Sequence, residues 1–209
     1  MKRGSLILIL ISLVIFLSSC ASVNMNTPKC LDKGENRIGA YGLYLANPSS
    51  YDNNNEEQSG IGSYYLKYSR GLGKQNEIGL GTGAFGGDIY YKHGFLSQKS
   101  SFKLASLVNI GYMYWLFPEA SIGGLAGYQI GDELLFYGGY RQHYILGDSD
   151  DIEENMFGHA IGGIEIFPGS SFSILFEYNR TLNEIKIKDL DIDESVYLDL
   201  IGFGFSFQF

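Results

Sequence analysis

From Arg37 to Phe209 apolar residues recur at every second position, in runs of about 9 to 15 residues separated by Gly, Asn, Asp, Ser and Pro clusters. Period two is the signature of β-strands, whose successive side chains point to opposite faces. No run carries the 3.6-residue period of an amphipathic helix. Ten strands are read, at about 37–46, 60–71, 76–85, 88–96, 101–113, 119–130, 133–146, 155–167, 171–183 and 195–209. Globular strands average about five or six residues. A membrane-crossing strand needs about 9 to 11. Run length therefore points to an all-β chain cut to the thickness of a bilayer.

The connections alternate in kind. Tight ones lie at 73–75, 97–100, 131–132 and 168–170, and long polar ones at 47–59, 147–154 and 184–194. Two more on the long-loop side, near Gly86 and near Pro118, are short. Such alternation fits an up-and-down antiparallel barrel with one wet loop side and one turn side. The expected count is about ten strands, with eight still open. An even count leaves both chain ends on the turn side.

Each strand has one apolar and one mixed face. Phe172, Ile174, Phe176 and Tyr178 share a face, opposite Ser173, Glu177 and Asn179. Leu134, Phe136, Tyr140 and Tyr144 oppose Tyr137, Arg141 and His143, and the strand from 155 sets Met156, Gly158, Ala160, Gly162, Ile164 and Ile166 against His159 and Glu165. A membrane barrel turns the apolar face outward and a soluble one turns it inward, and periodicity does not distinguish them. Strand length, Tyr- and Phe-rich apolar faces and charged opposite faces favour the membrane. A lipid-anchored soluble barrel with an apolar ligand is the rival. Gly supplies 28 residues, close to twice the usual share of about 7%. Gly79, Gly81 and Gly83 alternate within a strand, so they relieve crowding and admit curvature rather than cradle a nucleotide.

The last nine residues are Ile201-Gly202-Phe203-Gly204-Phe205-Ser206-Phe207-Gln208-Phe209. An aromatic terminus with apolar residues at alternate positions resembles the small bacterial outer-membrane β-barrel family. The resemblance implies that Phe203, Phe205, Phe207 and Phe209 form the strand recognised by the barrel assembly machinery. It also implies an outer-membrane location with outer-membrane lipids as partners. Asp199 shares the outward register, so it is expected at the far interface or after a bulge.

Lys2 and Arg3 precede an uncharged apolar run from Leu6 to Leu17. Twelve residues are too few for a membrane helix of about 20, and the arrangement reads as a secretory signal peptide over 1–19. Leu17-Ser18-Ser19-Cys20 resembles the bacterial lipobox, which implies cleavage before Cys20 and its modification with acyl chains such as palmitate, making the chain a lipoprotein. Losing Lys2 and Arg3 takes the formal charge from -8 to -10. That balance argues against a nucleic-acid partner. Residues 20–35 read as a lipidated, flexible tether, with Cys30 an inert thiol and the anchor in the inner leaflet. The barrel domain is assigned to 36–209.

Twelve of the 23 carboxylates lie in the long loops: Asp52, Glu56 and Glu57; Asp148, Asp150, Asp151, Glu153 and Glu154; Asp189, Asp191, Asp193 and Glu194. They either capture divalent cations or form solvated, self-repelling loops; the 189–193 set lacks the Gly and distal Glu of an EF-hand. Arg141, His143, His159, Glu165 and Glu177 form an inward polar cluster. His143 and His159 are expected at similar height on neighbouring strands. His143, His159 and Glu177 are weak candidates for acid–base chemistry on lipid or peptide at the rim; the plainer reading is a paired network filling a narrow barrel. Lipid A deacylases place a Ser beside the His, and Tyr144-Ile145 offer none. Omptin proteases need paired Asp residues and an Asp-His pair, which find no counterpart. No metal or cofactor is expected. The favoured function is a structural or surface-binding role without a wide pore.

Overall fold

The computed structural model describes residues 25–46, 61–84, 86–113, 117–146, 156–182 and 199–209. Ten antiparallel strands run β1 (Asn36–Ala46), β2 (Ile61–Gly73), β3 (Asn76–Gly83), β4 (Gly86–Gly94), β5 (Phe102–Met113), β6 (Phe117–Ile130), β7 (Leu134–Ile145), β8 (Met156–Ile166), β9 (Phe172–Thr181) and β10 (Asp199–Gln208). Each pairs with its sequence neighbour, and β1 pairs with β10, so the sheet closes on itself. Closure is obligatory in hydrocarbon, which cannot satisfy an open sheet edge. The seam runs from Ala46–Asp199 to Arg37–Gln208. Reciprocal Asn36 and Phe209 backbone bonds of 2.9 Å finish it. Ten strands, not eight, form the wall.

The apolar faces look outward. Phe172, Phe176, Phe203, Phe205 and Phe207 are all exposed, while Ser173, Glu177 and Ser206 between them are buried. The phenyl rings pack along the outside, Phe176 on Phe203 at 4.7 Å and Phe172 on Phe207 at 5.2 Å. This corrects the soluble ligand-binding rival, which needs those rings inside. Outward Tyr44, Tyr64, Tyr112, Tyr144 and Tyr178 stand toward the loop side, and Phe95, Phe102, Phe167, Phe172 and Phe207 toward the turn side. Leu66, Leu80, Ile89 and Val108 lie between. An aliphatic belt between two aromatic girdles is the exterior of a transmembrane barrel. Asp199 takes the end position of β10, where Tyr178 donates to it at 2.7 Å and Arg180 stands 3.8 Å away, so the outward carboxylate sits at the rim as expected.

Local chemistry shapes the wall. The two-residue β2–β3 turn places Lys74 (φ 51°) and Gln75 (φ 62°) in the left-handed region, as a type I′ hairpin requires. A Cβ on Gly79 would lie 2.4 Å from the Tyr90 ring and one on Gly81 1.6 Å from the Tyr65 hydroxyl. Those glycines are the floor on which two inward tyrosines lie.

The expectation of a flexible tether over 20–35 is corrected for its described part. Met25, Asn26, Thr27, Cys30 and Leu31 are buried. The segment enters from the turn side, with Gly34 bonded to the Gly71 carbonyl, and runs up inside the barrel to Met25, which lies against Gly202 and Leu43. Its polarity suits water, but it suits a polar lumen equally well. Cys20 and the expected signal segment lie outside the described residues, as do the acidic stretches at 52–57, 148–154 and 189–194.

Candidate functional site

The inward parity positions of all ten strands converge on one axis, and there the chain keeps its buried charge. On the turn side, Lys92 Nζ stands 3.0 Å from Glu77 Oε1. Tyr90 donates to the same oxygen at 2.8 Å and shares a hydrogen bond of 2.6 Å with Ser69. Arg37 Nη1 lies 3.5 Å from Glu165 Oε1. The first pair joins the neighbouring strands β3 and β4, where Glu77 and Lys92 are register partners, and the second joins β1 to β8 across the lumen; pairing is what makes a buried charge tolerable.

The N-terminal segment is held chiefly through its backbone. Lys67 donates to the Met25 carbonyl at 2.7 Å and to the Asn26 side chain. Lys92 donates to the carbonyls of Thr27 (3.2 Å) and Lys29 (2.8 Å), and the Leu31 amide donates to Glu77 at 3.0 Å. At the turn-side mouth Gln98 donates to the Cys30 carbonyl at 2.7 Å and Lys29 to that of Pro168 at 3.1 Å. Burial raises the Cys30 thiol above its ordinary range, keeping it protonated and slow to react. Beside the segment remains a polar cavity of about 10 Å³, lined by Thr27, Arg37 and Glu165 among others, room for about one water molecule. Buried Thr27 Oγ1, Arg37 Nε and Glu165 Oε2 lack protein partners.

Higher in the lumen, Asp88 accepts from Tyr65 at 2.7 Å and from Asn109 at 3.0 Å. Glu177 accepts from Tyr137 at 2.7 Å and from Asn179 at 2.9 Å. Toward the loops, His143 Nδ1 lies 3.2 Å from Glu119 Oε2. The His143 ring stacks on Phe157 at 4.8 Å and meets His159 edge-on at 4.7 Å.

The expected cluster is therefore divided. His143 and His159 come together, and Arg141 is the cross-strand partner of His159. Glu165 lies at the turn side with Arg37, and Glu177 is occupied by Tyr137 and Asn179. Glu119, the carboxylate that meets His143, escaped the sequence reading, as did Ser121, directly opposite His143 on β6. Lys67, Glu77, Asp88 and Lys92 escaped it too. Their signal was legible in principle, since each sits at the inward parity of its strand. Among the described residues no group of three or more His, Cys, Asp or Glu side chains is disposed to hold a metal ion.

No family model and no curated protein matches the chain. Among solved structures it is similar to an outer-membrane channel from Pseudomonas putida, at 9% identity over 90% of this chain and 100% of that one, with a TM-score of 0.58. It is also similar to the attachment invasion locus protein Ail of Yersinia pestis (15% identity, 85% and 99% covered, TM-score 0.36) and to Neisserial surface protein A (14%, 85% and 100%, 0.39). This chain has the fold of an outer-membrane β-barrel. At these identities likeness carries architecture alone.

Proposed function

We propose that the protein is an outer-membrane barrel lipoprotein, anchored through Cys20, whose role is structural or surface-binding rather than conductive. The carrying observation is the lumen: the N-terminal segment is buried along it, held by Lys67, Lys92 and Glu77, beside a cavity for about one water molecule. Ten strands make a narrow tube, and wide aqueous channels come with about 16. Assembly through Phe203, Phe205, Phe207 and Phe209 by the barrel assembly machinery belongs to this reading, as does residence among outer-membrane lipids. The acidic loops then carry contacts outward, with divalent cations as the simplest partner. Three measurements test the proposal. Purified outer membranes should contain a heat-modifiable band. Its N-terminal peptide should carry acyl mass on Cys20. Neutralising Asp189, Asp191 and Asp193 to Asn should weaken Ca²⁺ binding in calorimetry. An unacylated chain with the signal segment retained, or steady ion conductance by the intact protein, would sink it.

A second reading, a hydrolase acting on lipid or peptide at the rim, draws on one arrangement. Ser121 faces His143 across the β6–β7 pair, His143 meets Glu119, and Ser121 Oγ and His143 Nε2 lack protein partners. Nucleophile, base and orienting acid follow that order in serine hydrolases. Ester hydrolysis by the wild type that disappears in Ser121→Ala and His143→Ala, with gel mobility unchanged, would establish it. Equal activity in all three would end it.

A further inference from the structure

We propose that the outward wall of β1–β4 at the turn side is a binding site for an anionic phospholipid of that leaflet, with Arg70 as the contact for its phosphate. The inference rests on residence of the barrel among outer-membrane lipids and names one class of them as a specific partner.

One outward charge has no counterpart. At the outward positions of the ten strands, among the described residues, only Arg70, Arg180 and Asp199 carry a fixed charge. Arg180 and Asp199 face each other at the loop rim, 3.8 Å apart. Arg70, on β2, is exposed, and among the described residues no carboxylate pairs with it. Its cross-strand neighbours are Asn36 and Ile78. The nearby acids are engaged elsewhere: Glu77 is buried against Lys92, and Glu35 accepts from the Asp32 amide at 2.7 Å. Lys74, exposed in the adjoining turn, adds a second cation.

Around Arg70 the turn-side girdle changes character. On β5–β10 its outward positions hold Phe102, Tyr128, Ile130, Phe172 and Phe207, all exposed. On β1–β4 the same belt contains Asn36, Arg70, Asn76 and His93, with Tyr68 and Tyr91 one outward step deeper on β2 and β4. These groups are fixed. Tyr68 donates to Asn36 Oδ1 at 2.7 Å and Tyr91 to Asn76 Oδ1 at 2.6 Å. Asn76 Nδ2 donates to the Gly73 and Lys74 carbonyls at 3.0 and 3.2 Å, which turns Oδ1 toward β4, where His93 Nδ1 meets it at 2.7 Å. An amide oxygen only accepts, so Nδ1 carries the proton and Nε2 of the neutral ring is an acceptor. Phe95 holds that ring edge-on at 5.0 Å.

Depth and spacing fit one lipid headgroup. Arg70 is four residues from Leu66, which lies near the middle of β2 in the aliphatic belt. With a rise of about 3.4 Å per residue and a tilt of about 40°, its Cα stands about 10 Å toward the turns, just inside the edge of an apolar band about 25 Å tall. A guanidinium on a long stem reaches past that edge to the level of the phosphates, and its planar fork matches phosphate oxygens two at a time. β2 and β4 lie about 10 Å apart. A phosphate on Arg70 therefore places its headgroup over Asn76 and Ile78, with a headgroup hydroxyl donating to His93 Nε2. The acyl chains of the same molecule follow Leu66, Leu80 and Ile89, all exposed. An anionic headgroup bearing hydroxyls, as in phosphatidylglycerol, meets both ends of the site.

The test uses full-length protein purified from outer membranes into detergent, with native mass spectrometry counting the lipids retained per barrel. Dioleoylphosphatidylglycerol is the probe. Dioleoylphosphatidylcholine, whose ammonium offsets its phosphate and whose headgroup has no hydroxyl, is the comparator. The variants are Arg70→Gln and, as a loop-side control, Arg180→Gln. Wild type should retain one phosphatidylglycerol in preference to phosphatidylcholine. Arg70→Gln should weaken that binding at least about tenfold, the weight of a hydrogen bond to a charged group, and Arg180→Gln should leave it unchanged. Equal binding of the two lipids, undiminished binding by Arg70→Gln, or an equal fall in Arg180→Gln overturns the proposal. Heat-modifiable mobility separates the causes. Folded barrels that fail the test keep the membrane reading and lose the site, whereas a wild type without the mobility shift loses both.

Discussion

Ile89→Arg tests the orientation of the barrel directly. Ile89 is 62% exposed, near the middle of β4, with Leu80 and Ile110 as its cross-strand neighbours. If that face meets hydrocarbon, the new guanidinium has no polar partner within the aliphatic belt. An outward Arg near the bilayer midplane costs about 2–4 kcal/mol, against about 0–1 kcal/mol near an interface. At about 1.4 kcal/mol per tenfold, that is a loss of roughly 30- to 1,000-fold in the folding equilibrium. Tyr112→Arg is the matched control, because Tyr112 is also outward but one residue from the loop end of β5. Both variants would be unfolded from lipid vesicles in a denaturant series, with the folded fraction read as heat-modifiable gel mobility. The reasoning predicts a large midpoint shift for Ile89→Arg and a small one for Tyr112→Arg. If Ile89→Arg stays within about 0.5 kcal/mol of wild type, as an ordinary water-facing substitution would, the face is not in lipid.

Three further expectations concern the lumen. Lys92→Met removes the ion-pair partner of buried Glu77 and should cost about 3–5 kcal/mol in the same assay; a variant within about 0.5 kcal/mol of wild type would contradict the pairing. Deleting residues 21–31 should give single-channel conductance in planar bilayers where the intact protein gives none; silence from the deletion variant would show that wall side chains alone seal the tube. Cys30 should react slowly with a maleimide at pH 7–8 in the folded barrel and readily in denaturant. Burial raises its folded-state pKa, so the thiolate is scarce below that pKa and labelling should rise with pH; native labelling at the rate of a free thiol would refute its burial.

Strand positions were largely legible. All ten runs correspond to strands, with described boundaries shifted by a few residues, because a strand between lipid and a polar axis must alternate along its length. The fate of Asp199 was legible for the same reason: an outward carboxylate has to sit where the belt ends. Apart from the meeting of His143 and His159 on neighbouring strands, contacts inside the lumen were not. His143 and Glu119 are 24 residues apart, and Arg37 reaches Glu165 only because β1 closes on β10 and brings distant strands around one axis. Residues 25–31 misled for a related reason. Asn, Thr, Pro and Lys are the residues of a solvated linker, and equally of a strand-like segment in a polar tube.

Sequence by itself determined which side chains share a face, since alternation is a local property of extended backbone. It also set the length of the wall and the aromatic terminus that completes it. Only the tertiary structure decided what fills the centre. Partners there are chosen by cross-strand register and closure, and neither the path of the first described residues nor the companion of a given carboxylate leaves a mark in local periodicity.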